Sequence, residues 1–332
     1  MFLIIGSTTL DLIHTGIPHL PLARGDEFTV DSLVFCRDPV QMRFGGNGAN
    51  SAYALARLGA PVTLGSAIGN DAAGDLLVQP LQAIGVDTQA LVRHATAATS
   101  VTTVISDQAH NRLAFHHAGS SHAYGPSDLP AALRQATTAL LIASYTLFLR
   151  WRPHGFAALL QEVKAQGGVT ALDIGPAVGE PAMLAELSAL LPQVDYFICN
   201  AHELAVCTGG DETDSGIAHG MNQVLQGGAG AVVIKRGAAG AWVRQANAPA
   251  PIPVARFPVS VQDTVGAGDA FNAGFLYAVA QGQDPQAAAR FANGVAALTV
   301  GSHRGVLGGP TASQVQELLT MYRNLSSTEN VY

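Results

Sequence analysis

The sequence predicts an α/β protein: a doubly wound, mostly parallel sheet flanked by helices, with a small β-sheet lid projecting from it. Three observations predict this. Short apolar runs alternate with helical stretches through the middle of the chain, the pattern of a parallel sheet covered on both faces. Two β-rich pieces, about residues 10–45 and 95–120, interrupt the alternation and are read as the lid strands. Finally, 48% of the 332 residues are hydrophobic and only 12% charged, with abundant glycine, which suits close packing of helices on a sheet. No repeat or long linker divides the chain, so residues 1–332 are expected to form a single domain.

The apolar run Phe2–Ile5, closed by Gly6, is a buried first strand. A helix over residues 51–58 follows a glycine-rich turn and stops at Gly59. A strand over 62–68 precedes a helix capped by Asp71 that runs to about residue 84 and ends at Gly85. Residues 101–105 and 112–116 are strands joined by a polar turn over 107–111. Further strands are expected at 139–143, 169–172, 196–199 and 231–234. The helices between them are expected at 153–166, 181–191, 202–208 and 217–225. The proline-rich stretch 246–258 is a surface crossing or a set of short edge strands. Helices over 268–281, 285–300 and 311–325 complete the chain.

Composition excludes several classes. The formal charge is −7, with 17 Lys and Arg against 24 Asp and Glu. The cations are scattered, so a nucleic-acid partner is not expected. Cys36, Cys199 and Cys207 are odd in number and lack a CxxC spacing, which argues against a disulfide framework or a zinc site and for a reducing compartment. The first apolar run is short and has no charged leader, and no run approaches the roughly 18 apolar residues of a membrane span. A soluble, cytoplasmic protein is expected, with no membrane partner.

The sharpest segment is Asp263-Thr264-Val265-Gly266-Ala267-Gly268-Asp269-Ala270-Phe271. Glycines at a helix start let the backbone approach a ligand, and the unpaired first amides with the helix dipole favour an anion there. Asp269 is either an ordinary first-turn acid or a base beside an anion hole, placed to take a hydroxyl proton during phosphoryl transfer. No GxxxxGK[ST] loop and no dinucleotide-binding GxGxxG is present, which argues against P-loop enzymes and dehydrogenases. A second motif, Phe44-Gly45-Gly46-Asn47-Gly48-Ala49-Asn50, is either a tight turn with Asn50 as helix cap or a turn whose amides meet ligand hydroxyls.

These two motifs, in this order and more than two hundred positions apart, resemble the N- and C-terminal signatures of the ribokinase-like (PfkB) carbohydrate kinase family. The resemblance extends from Gly6 to about Pro310. It implies a kinase that moves the γ-phosphoryl group of ATP, with Mg2+, onto a hydroxymethyl group of a sugar. Asp269 would be the catalytic base, and Gly266, Ala267 and Gly268 the anion hole. Asp11, Gly46, Asn47 and Asn50 would contact the substrate. Asn200 and Glu203, in Asn200-Ala201-His202-Glu203, match the family's N-x-x-E motif, with Glu203 acting on magnesium through water; by residue type they are also a helix-capping pair. Lys235, Gly237 and Asn293 would line the nucleotide. Asp263 and Val265, with carbonyls from 300–305, are a candidate K+ or other monovalent-cation site.

Three positions depart from ribokinases proper. Asn47 replaces a lysine, Thr9 an asparagine, and Tyr145 an acid on the sugar side, so an acceptor other than ribose is expected. The alternatives are a nucleoside kinase of the same fold, marked by Phe115, Tyr124 or Tyr145 stacking on a base, and a non-catalytic sugar- or nucleotide-binding regulator. Of the adjacent His116 and His117, at most one can face a substrate under the lid. The lid is also a candidate homodimer surface.

Overall fold

The computed structural model describes residues 1–17, 20, 23, 24, 27, 28, 36–109, 111–177 and 179–328. Its main sheet has nine strands. In spatial order they are Ile252–Val254, Ala241–Gln245, Ala231–Lys235, Tyr196–Asn200, Val169–Asp173, Ala139–Ala143, Phe2–Ile5, Val62–Gly69 and Leu91–His94. The last seven are parallel, and the first two form an antiparallel edge. Ile252–Val254 lies within the proline-rich stretch and is the edge strand that its composition allowed. Leu91–His94 and Ala241–Gln245 are strands that apolar periodicity did not reveal, because each is short and carries an arginine.

The first strand shows how two cores arise from one sheet. Its side chains alternate, so Phe2 and Ile4 join the cluster of the helices Asn47–Arg57, Ala267–Ala280 and Pro285–Val300. Leu3 and Ile5 join the opposite cluster with Phe156 and Leu204. The chain leaves this strand towards neighbours on both sides, Val62–Gly69 on one and Ala139–Ala143 on the other. That reversal of strand order is a topological switch point, and ligands of open α/β sheets bind outside the carboxyl ends of the strands there.

A separate four-stranded sheet holds Gln41–Gly45, Thr9–Ile17, Ser100–Asp107 and Arg112–His117, in that order. This is the lid expected from the two β-rich pieces; residues 18, 19, 21, 22, 25, 26, 29–35 and 110 of those pieces lie outside the described residues. Residues directly opposite one another share a face. Asp11, Arg43, Thr102 and His116 therefore lie on one face, and Leu12, Met42, Thr103 and Phe115 on the other.

Helix boundaries differ from expectation where they matter. The helix expected at residue 51 begins at Asn47, with Gly46 as its cap, so Asn50 is not the cap but lies in the first turn. The expected helix 181–191 is only the short helix Leu184–Leu187 and a following 3-10 turn, Leu191–Gln193, that contains Pro192. Among the described residues no helix is long and apolar enough to cross a membrane. Cys199 and Cys207 are buried free thiols and Cys36 is exposed.

Candidate active site

Two helix N-termini meet at Asp269. The helix Ala267–Ala280 starts after Gly266, whose φ of 75° is left-handed and whose missing side chain leaves room for Asn50 and Val306. The helix Asn47–Arg57 starts after Gly46, at φ 94°, where any Cβ would strike the carbonyl of Ser7. Because Asn47 and Asn50 are three apart in a helix, their side chains share a face. Asn47 Nδ2 donates to Asp269 Oδ1 at 3.1 Å, and Asn50 Nδ2 donates to Asp269 Oδ2 at 2.8 Å. Both amides that the resemblance assigned to substrate are thus bonded to the carboxylate assigned as base.

Burial pushes the Asp269 carboxyl up to about 6; the Asn50 and Lys235 groups pull it back only in part, and Asp173 adds to the rise. A group of that pKa is ionised at neutral pH and can still accept a proton readily.

The carboxyl ends of three neighbouring strands supply the next layer. They present Asp173, Asn200 and Lys235. Lys235 Nζ donates to Asp173 Oδ2 at 2.6 Å and to Asn272 Oδ1 at 3.2 Å, and Asn272 Nδ2 donates to the same Asp173 oxygen. Burial would push the Lys235 ammonium down, but the carboxylates of Asp173, Glu203 and Asp269 reverse this and raise it. Its Nζ lies 3.7 Å from where a side chain at Gly268 would begin, beside the glycine turn. Arg236 points elsewhere, to Asp214 at 2.7 Å and over the Trp242 ring.

Asn200 and Glu203 form a reciprocal capping box, each bonding the other's amide at 2.8 Å. Burial, and then the Asp173 charge, push the Glu203 carboxyl up to about 7. Asp173, Glu203 and Asp269 thus crowd three acids around one lysine, but among the described residues no group of three acids, histidines or cysteines could cage a metal. That donor set fits a magnesium ion held mostly by water and phosphate oxygens.

A cavity of about 330 Å³ is lined by Lys235, Gly237 and Gly268 together with the apolar Phe257 and Val261, and Asn293 is part of its wall. The Asn293 Nδ2 donates to the carbonyls of Val254 and Ala255, at 3.2 and 3.0 Å. It therefore holds the edge strand in place.

On the lid, Asp11 is half-buried beside Arg43 and Thr102. Burial pushes its carboxyl up, and the Thr102 hydroxyl and the Arg43 charge oppose that. His116 shares this face, with Nδ1 3.1 Å from the Thr102 hydroxyl; His117, opposite Val101, does not. The Asp263 carboxylate is already engaged by Arg43 and by the Val265 amide.

The side chains of Tyr145 and Tyr124 are packed in the core. Both are fully buried, Tyr145 against Phe156 and bonded to Glu186 at 2.6 Å, Tyr124 against Trp151. Phe115 is exposed on the lid face away from Asp11.

Sequence reasoning missed Asp173, Asn272 and Arg43. The first two carried a signal: Asp173 directly follows an apolar strand run, and Asn272 is a polar residue inside an apolar helix. Arg43 carried none beyond its neighbourhood to the first glycine motif.

The pfkB family carbohydrate kinase model matches residues 25–312. Ribokinase of Bacillus subtilis (strain 168) is 30% identical over 319 residues, covering 96% of this chain and 98% of its own. A nucleoside kinase of Methanothermobacter thermautotrophicus is 26% identical, over 90% of this chain and 88% of its own. Arabidopsis thaliana ribokinase, solved with ribose and ATP, superposes with a TM-score of 0.83 at 24% identity, covering 96% of this chain and 98% of its own. A family model spanning most of the chain, and a relative matched nearly end to end, place this protein in the pfkB family of carbohydrate kinases, as a sugar or nucleoside kinase.

Proposed function

We propose that the chain transfers the γ-phosphoryl group of ATP to a hydroxymethyl group of a sugar, with Asp269 as general base. The observation that carries this reading is the convergence of the two glycine motifs on one carboxylate. Asp269 is held at both oxygens by Asn47 and Asn50, at the start of a helix where the Ala267 amide donates to Thr264 O at 3.3 Å and the Gly268 amide, one residue on, lies in the turn that an anion would approach.

In this reading the nucleotide lies in the cavity, its base against Phe257 and Val261 and its phosphates towards Gly268 and Lys235. The sugar lies under the lid against Asp11, whose carboxylate can accept from two vicinal hydroxyls. Asp269 accepts the proton of the attacking hydroxyl as the new P–O bond forms and the bond to the leaving ADP oxygen breaks. The amides of Gly266 and Gly268 and the Lys235 ammonium offset charge on the moving group, and Ala267 would join them by giving up its bond to Thr264 O. Magnesium, when bound, would neutralise phosphate charge, with Glu203 reaching it through water. Asn47 and Asn50 orient the base and are positioning residues.

A sugar is favoured over a nucleoside because none of the three candidate stacking aromatics shares the Asp11 face. Tyr124 and Tyr145 are in the core, and Phe115 lies on the far side of the lid. The test is ADP release from ATP and magnesium against pentoses, hexoses, keto-sugar acids and nucleosides. The expected result is a signal with sugars or sugar acids; turnover with nucleosides alone would reverse the acceptor assignment. Silence with every acceptor, with ATP binding intact, would favour the regulator.

The pH profile follows from the carboxyl at about 6. A general base must be ionised, so kcat/KM should rise with pH through a midpoint near pH 6 and level off about one unit above it, instead of rising near the ordinary carboxylate value of about 4. Removing a donor that favours the anion raises a pKa, so Asn50→Ala should move this limb to higher pH. An acid limb that stays put in Asn50→Ala would dissociate it from Asp269.

A further inference from the structure

The resemblance to the family implied a monovalent cation at Asp263 and Val265, and the residues do not fit one. Both oxygens of Asp263 are committed: Oδ1 accepts from the Val265 amide at 3.0 Å, and Oδ2 is ion-paired with Arg43 Nη1. Of the carbonyls expected to complete the site, Val300 O already accepts from the amides of Gln262 and Asp263, at 2.9 and 3.2 Å, and Ser302 O accepts from Gly305 at 3.3 Å. The cleft at this spot is lined by Arg43 and Arg304 as well as Asp263 and Val265. An incoming cation would meet a neutralised carboxylate and like charge.

Arg43 is itself well held. Its Nε and Nη2 both donate to Gln41 Oε1, at 3.1 and 2.6 Å, which directs Nη1 across to Asp263. Asp263 opens the turn Thr264–Gly268 that carries the anion-hole amides, and Arg43 precedes the first glycine motif on the lid strand Gln41–Gly45. The pair therefore ties the lid to the anion-hole turn, across 220 positions of sequence.

We propose that the Arg43 guanidinium is a built-in replacement for a monovalent cation: it holds Asp263 and thereby the anion-hole turn, so that phosphoryl transfer needs neither potassium nor sodium. Arg43 is a positioning residue here, acting through Asp263. The proposal rests on the kinase reading for its kinetic arm only.

The test compares tetramethylammonium, sodium and potassium chlorides at equal ionic strength, so that screening is constant. The native protein should turn over at the same rate in all three and show no potassium-specific rise in melting temperature. Arg43→Met should lose about 10- to 100-fold in kcat in tetramethylammonium, as a displaced turn would, with KM for ATP little changed. Potassium should restore most of that loss and raise the melting temperature of this variant alone, and Arg43→Lys should retain most of the rate. Several-fold activation of the native protein by potassium would overturn the proposal. So would full activity of Arg43→Met in tetramethylammonium, or a loss that neither a monovalent cation nor lysine relieves. If Arg43→Met does not fold, the native salt series and Arg43→Lys decide. The melting comparison needs no acceptor, so a potassium-specific shift in the native protein overturns the cation proposal even where the kinase reading fails, and absence of turnover in every salt counts against the kinase reading alone.

Discussion

Asp269→Asn is expected to lower kcat by at least ~10²-fold, the scale of a lost general base, while making the protein more stable at about pH 8. The first effect follows because asparagine keeps the shape but cannot take the hydroxyl proton. The second follows from burial. The folded-state carboxyl sits at about 6, above its ordinary 3.8. A raised acid favours the folded state at pH below its unfolded value, and that advantage is lost as pH rises through the folded value. Above about pH 6 the ionised, buried carboxylate therefore burdens the fold by up to about 3 kcal/mol, two pKa units and a fraction at 1.36 kcal/mol each. Asparagine removes the burden but leaves one of the two Asn donors facing its own amide, so the gain will be smaller. Steady-state kinetics and urea unfolding at several pH values check both arms. A near-normal rate would remove Asp269 from the base role, and a variant less stable at every pH would contradict the burial argument.

Lys235→Met is the second large effect expected: a loss of at least ~10²-fold in kcat, the scale of a lost charge-stabilising donor, together with about 3–5 kcal/mol of stability. The stability loss arises because Asp173 is buried and has Lys235 as its ion-pair partner. Removing one member leaves the other charge uncompensated. The double variant Lys235→Met with Asp173→Asn removes that charge as well, so it should recover much of the stability and none of the rate. Recovery of both would reduce Lys235 to a structural partner of Asp173.

The chemistry of this site was legible where it is local. Asp269 and its glycine turn stand together in nine residues, and a turn followed by an apolar helix places a helix N-terminus next to a carboxylate; the structure adds that the Ala267 amide there is taken by Thr264 O. Asn200 and Glu203 are likewise three apart, and the capping box predicted from that spacing is present. The lid was legible because its strands break the helix–strand alternation. Legibility failed where one residue type fits two environments. Tyr145 and Tyr124 carry an aromatic ring and a hydroxyl that suit a ligand pocket as well as a core, and the core took them, with the Tyr145 hydroxyl satisfied by Glu186. Asn47 and Asn50 were singled out as site residues, but their bonds run to a carboxylate about 220 positions away, and residue type cannot distinguish a bond to that carboxylate from a bond to a sugar.

The sequence by itself determined the layered sheet, the lid and the kinase family, and singled out Asp269 as the candidate base, because each is written in periodicity or in a short motif. Only the tertiary structure decided which groups surround that carboxylate. The helix beginning at Asn47 turns two amides onto Asp269, the strand ends at Asp173 and Lys235 bring a buried ion pair beside it, and the lid carries Arg43 to Asp263. These pairings join residues 62 to 222 positions apart, and burial, which sets the charge of each group, exists only once the sheet and its helices have closed around them.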